Sequence, residues 1–263
     1  KVIAAIDPDQ DPKDLEAFLD ALNDKVEISE DIVVLPGMVA DALEAASPFE
    51  NVHDKLLIDA TTLVSTDPRS PDEPLEGSYN QPTPAWRQGS KPSEPFTGLE
   101  AVATLPGVRQ ARMLRDNMLV VSTSIEGTPS PRTGQHDGDD DLEGRRIDKI
   151  LQLRNSIWQL DSDKNLRWLF ITNDDLDMTH TKARRRLLWQ LTARFDVGRG
   201  LTFDEGRDRL CWDATTPIPS EGYGVRRWPA VTLHDEETLA KVATHPELSK
   251  YEWPPHLSFG GPE

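Results

Sequence analysis

Hydrophobic positions in this chain come in short blocks with two different periods. Val2–Ile6 is a compact apolar run of strand length. Leu15, Phe18, Leu19 and Leu22 then recur at i, i+3, i+4 and i+7, the spacing that turns one face of a helix toward a core. Asp11-Pro12 ahead of that stripe suits the cap and first-turn positions, where proline's missing N–H costs no hydrogen bond. Ile32–Leu35 and Lys55–Ile58 read as second and third strands. Met118–Ser122 (MLVVS) is a further strand, and Ile147–Leu160 is a helix with Ile147, Ile150, Leu151, Ile157 and Trp158 on its apolar stripe. Leu166–Thr172 (LRWLFIT) has the look of a fully buried strand. A helix from about Thr181 to Phe195 places Leu187, Leu188 and Leu191 inward. A strand near Leu201–Phe203 follows, then a last helix over Asp235–Val242, capped by Asp235 with Glu236 and Glu237 in its first turn.

Two tracts break the pattern. Ser65–Ser93 collapses into Pro, Ser, Asp, Glu and Gly, the composition of a linker or long surface loop. Gly127–Gly144, ending in HDGDDDLEG, offers nothing that packs and reads as a mobile loop. Elsewhere strands alternate with helices, so the class is α/β with partly parallel sheets. The order also repeats. AAID, Asp9-x-Asp11, a helix, a strand and IDATTL (Ile58–Leu63) are matched later by LFIT, Asp175-x-Asp177, a helix, a strand and WDATTP (Trp212–Pro217). Two DATT tetrapeptides in equivalent places point to an internal duplication. The predicted organisation is therefore two related three-layer-type α/β units joined by a Pro-rich linker. The first covers residues 1–64 with its leading elements missing, the linker 65–98, and the second unit 99–263. The opening of the chain directly on a bare strand at Lys1 carries the same expectation, that sequence belonging upstream is absent.

Composition narrows the function classes. The 263 residues include 29 Lys+Arg against 46 Asp+Glu, a formal net charge of -17. A nucleic-acid binder needs a basic face to displace counterions, and an anionic membrane surface needs a polybasic patch; this chain has neither. No apolar run approaches the about 20 residues of a membrane-spanning helix. The single cysteine, Cys211, excludes an intrachain disulfide. These features fit a soluble, acidic, cytoplasmic protein.

Motifs for chemistry are sparse. DPDQD (Asp7–Asp11) fails as a calcium loop, because Pro12 and Phe18 stand where Gly and Glu are needed. Asp137, Asp139 and Asp141 fill the first carboxylate positions of such a loop, but Leu142 takes the glycine place and only Asp148 the last. Carboxylates after a strand more simply cap the helix that follows. No dinucleotide fingerprint, P-loop, HExxH or GxSxG occurs. The six histidines stand apart from one another at no ligand spacing. Cys211 reads as a packed thiol, and Trp158, Trp168, Trp189 and Trp212 as core. No catalytic constellation stands out.

Several separated segments nevertheless share one order: LPGVRQARML (Leu105–Leu114), MLVVSTSI, IDKILQLRNSIW, WLFITNDDLD, LLWQLTARFD (Leu187–Asp196), WDATTPIPSEGY (Trp212–Tyr223) and RRWP (Arg226–Pro229). In content and order, over about residues 104–243, this resembles the C-terminal domain of the UbiD family of decarboxylases. That family shows a strand ending in a DDDVD-like turn, a helix with W-A-x-x-T-R, and a DATxKxPxE segment leading to W-P or W-G. Trp189 and Arg194 keep the helix pattern, whereas Ala193 replaces Thr and Thr216 replaces Lys. The first half looks like a more divergent copy, which keeps IDPDQD and IDATT but reads LDALNDKVE where the Trp and Arg would stand.

The resemblance implies a carboxy-lyase. UbiD enzymes add or remove CO2 at an aromatic or α,β-unsaturated acid, using prenylated FMN with a divalent metal and potassium on a split-barrel domain. There, a Glu–Arg–Glu set supplies the proton donor and an arginine that holds the substrate carboxylate, while the cofactor acts as electron sink. No barrel and no family-style Glu pair is legible here; Ser124–Gly127 (SIEG) and Ser93–Gly98 (SEPFTG) are only echoes, so no catalytic residues are carried over. The expectation is a subunit or C-terminal portion of such an enzyme, binding no cofactor by itself, with a catalytic UbiD-like partner or domain and a homo- or hetero-oligomeric assembly. The alternative is a noncatalytic assembly or regulatory module built from duplicated domains. The family's C-terminal domain contacts the barrel and mediates oligomer formation. On that basis Asp213, Thr215, Glu221, Arg226 and Trp228 are candidate interface residues, although Asp213 and the threonines would serve equally to cap a local turn.

Overall fold

The apolar run at the start forms β1 (Val2–Ile6), and the stripe after it forms α1 (Leu15–Asp24). The computed structural model describes residues 2–39, 51–62, 94–124, 140–173, 183–216 and 236–246. α1 begins later than Asp11-Pro12 suggested. Its cap is Asp14, whose carboxylate accepts from the backbone N–H groups of Glu16 and Ala17 at 3.0 and 3.2 Å, while Asp11 closes a separate turn by accepting from Lys13 N. β2 (Ile32–Val39) is longer than its apolar block, because a bulge between Leu35 and Met38 carries the pairing onward. Gly37 allows this with φ +64°, and its N–H donates to Asp54 at 2.9 Å. β3 (Val52–Ala60) lies between the other two, parallel to β1 and antiparallel to β2.

The second part contains α2 (Leu99–Ala103), β4 (Val108–Arg115), β5 (Met118–Thr123), α3 (Asp140–Gln159), β6 (Trp168–Asn173), α4 (Ala183–Ala193), α5 (Val197–Gly200), β7 (Leu201–Phe203), β8 (Leu210–Ala214) and α6 (Glu236–Thr244). β4 is a strand the hydrophobic pattern did not announce, since VRQARMLR is mostly charged and polar and pairs antiparallel with the apolar β5. The end of the acidic tract also differs from expectation: residues 140–144 are helical and begin α3, so only 127–139 of that predicted loop fall outside the described residues. The sheet order is β4-β5-β6-β8-β7, with β5, β6 and β8 parallel and both edges antiparallel. The class is α/β.

The two sheets share a core. Leu19, Leu22, Val26, Ile28, Leu56 and Ile58 pack in one cluster with Met118, Trp168, Phe170, Phe195, Leu210 and Trp212. On the other face of the larger sheet, Leu119, Val121, Leu169, Ile171 and Cys211 are covered by Val102 and by Ile150, Leu153 and Ile157 of α3. Burying one such side chain contributes about 1.5–3 kcal/mol, which is ample to hold α3 on that face. Trp158, Trp168 and Trp212 are core as expected, but Trp189 and Leu188 are 46% and 40% exposed. They lie on the side of α4 away from Leu187 and Leu191, and Trp189 instead stacks near the Arg194 guanidinium. No described helix is long and apolar enough to cross a membrane.

Candidate functional site

Ligand sites of parallel sheets lie beyond the carboxyl ends of the strands, and that is where the repeated motifs meet. β6 ends at Asn173, and β8 carries Asp213 and leads into Thr215 and Thr216. Asn173 Oδ1 accepts from Thr216 N at 2.8 Å, from Thr216 Oγ1 at 3.1 Å and from Arg194 Nη1 at 3.2 Å. Asp213 Oδ1 accepts from Thr215 N and Oγ1 at 2.8 and 2.6 Å, and its other oxygen pairs with Arg199 at 3.2 Å. Arg199 in turn donates to the carbonyls of Thr215 and Arg194 at 2.8 and 3.2 Å. All of these side chains are buried, Arg194 and both threonines fully.

The first sheet builds the same arrangement. Asp7, directly after β1, accepts from Thr62 N at 2.7 Å and from Thr62 Oγ1 at 2.5 Å, and pairs with Lys25 at 2.5 Å. Asp59 Oδ1 accepts from Thr61 N and Oγ1 at 3.1 and 2.6 Å. The lysine and hydroxyl partners hold the Asp7 carboxyl at about 2, below its ordinary 3.8. Lys25 and Arg194 each stand one place after their helix, α1 and α4. The segment LDALNDKVE therefore does keep a cation in the arginine's place, as lysine; the common interval back to each helix's inward leucine, Leu22 and Leu191, was the sequence signal for it.

These contacts decide what the site can do. Asp7 and Asn173 each accept from a threonine at a neighbouring strand end and from one cation, Asp213 from Thr215 and Arg199, and Asp59 from Thr61, so the groups clamp the strand ends together. They bear as well on the cofactor that the resemblance implies. A divalent metal and a flavin phosphate need a cluster of unmatched carboxylates and unmatched donors respectively. Asp7 and Asp213 are each neutralised by Lys25 and Arg199, and no three His, Cys, Asp or Glu side chains converge on an ion position among the described residues. Burial, with the neighbouring Asp213 charge, pushes the Cys211 thiol far up, which removes it as a nucleophile.

Of the predicted interface residues, Asp213 and Thr215 sit together in the buried turn just described, and Glu221, Arg226 and Trp228 lie outside the described residues. So does the second acidic turn beyond Asn173, and the possible ion positions Asp137 and Asp139.

Comparison with known proteins places the first sheet. Residues 1–60 match the family model of the 3-octaprenyl-4-hydroxybenzoate carboxy-lyase (UbiD) C-terminal domain. The first unit is similar to that domain. The match covers the half that reads as the more divergent copy, and not the residues 104–243 on which the motif resemblance rests. The chain is also similar to a phenolic acid decarboxylase of Escherichia coli O157:H7, 37% identical over 94 residues, which is 34% of this chain and 18% of that protein. The chain thus spans under a fifth of the relative it matches. No solved structure matches it.

Proposed function

We propose that this chain is a subunit or C-terminal portion of a UbiD-like decarboxylase or carboxylase acting on an aromatic or α,β-unsaturated carboxylic acid in the cytoplasm. The catalytic barrel, with prenylated FMN, a divalent metal and potassium, is supplied by polypeptide other than these 263 residues. The carrying observation is the family match over residues 1–60, joined to strand-end clamps whose polar groups are already matched by one another. Such a chain contributes scaffold and contact surface, and leaves proton transfer at the substrate carbon to the barrel. The similarity to a phenolic acid decarboxylase favours an aromatic acid.

A second reading follows from the twin hydrogen-bond plan: a noncatalytic assembly or regulatory module made by duplicating one domain. Native mass spectrometry with a UV-visible spectrum on material purified undenatured from its source separates the two. A larger assembly that absorbs in the near-ultraviolet and blue and releases a flavin mass on unfolding supports the first reading. A colourless species of 29.5 kDa, or its homo-oligomer, overturns it in favour of the second.

A further inference from the structure

We draw no further inference here: the strongest candidate, the exposed Leu188–Trp189 patch on the outer side of α4, is an apolar helix face, and nothing in the structure shows what covers it.

Discussion

Asn173 and Asp7 hold equivalent places with different chemistry, and the difference is testable. Asn173 Oδ1 serves three donors, all on fully buried residues. Asn173→Ala strands those donors and should cost on the order of 2–3 kcal/mol in urea unfolding. Asn173→Asp places a carboxylate beside Arg194, as Asp7 stands beside Lys25, and should cost clearly less; equal losses would show that the clamp does not depend on an acceptor there. Asp7 adds a pH signature. Its folded pKa of about 2 lies below the ordinary 3.8, so its contribution is full above that ordinary value and is lost as pH falls toward 2. The stability gap between wild type and Asp7→Asn should therefore be constant near neutrality and close between about pH 4 and pH 2. A gap that persists at pH 2 in urea midpoints would contradict the assignment. The two DATT tetrapeptides were legible in sequence, but their partners were not. Thr62 reaches Asp7 across 55 positions and Thr216 reaches Asn173 across 43, contacts that exist only once parallel strands bring their ends together.

At the scale of elements, helices and central strands were readable because burial imposes a period, and their ends were less so because caps depend on local geometry. Two aspartates compete for the start of α1, and Asp14 wins by reaching two backbone N–H groups. Asp14→Ala should cost about 1 kcal/mol, whereas Asp11→Ala should fall within about 0.5 kcal/mol, both by thermal or urea unfolding. The reverse ranking would restore the earlier helix start. Trp189 shows a different limit. An aromatic in an apolar stretch suggested core, yet α4 buries Leu187 and Leu191 and turns Trp189 outward. β4 escaped notice for the opposite reason, since an edge strand beside an apolar neighbour needs little hydrophobicity of its own.

At the scale of the molecule, one core joins the two sheets. Cross-links of charge reinforce it: Arg115, at the end of β4, pairs with Glu16 and Asp20 of α1, and buried Arg167 donates to the Val26 carbonyl at 2.7 Å. Burial lowers the Arg167 pKa against the pull of Glu27, so this contact holds a desolvated guanidinium at the joint. The chain should consequently unfold in one transition. Tryptophan fluorescence, whose buried reporters Trp158, Trp168 and Trp212 stand in the second part and none of whose seven tryptophans lies within residues 1–64, and exchange of β3 amides in the first part should share one midpoint. Two separated midpoints would mean that each sheet is stable alone.

What the sequence determined by itself is the α/β class, the buried stripes, the acidic and single-cysteine character, and the repeated strand–helix–strand order with its DATT endings. These are local or compositional properties, set by periodicity and residue type. The tertiary structure alone decided that both sheets bury their inner faces against each other, that Lys25 stands in for an arginine, and that the strand-end carboxylates are matched rather than free. Those outcomes depend on which residues meet across tens of positions of chain. A linear pattern does not specify such meetings; pairing register, the direction of each strand and the hydrogen bonds at the strand ends do.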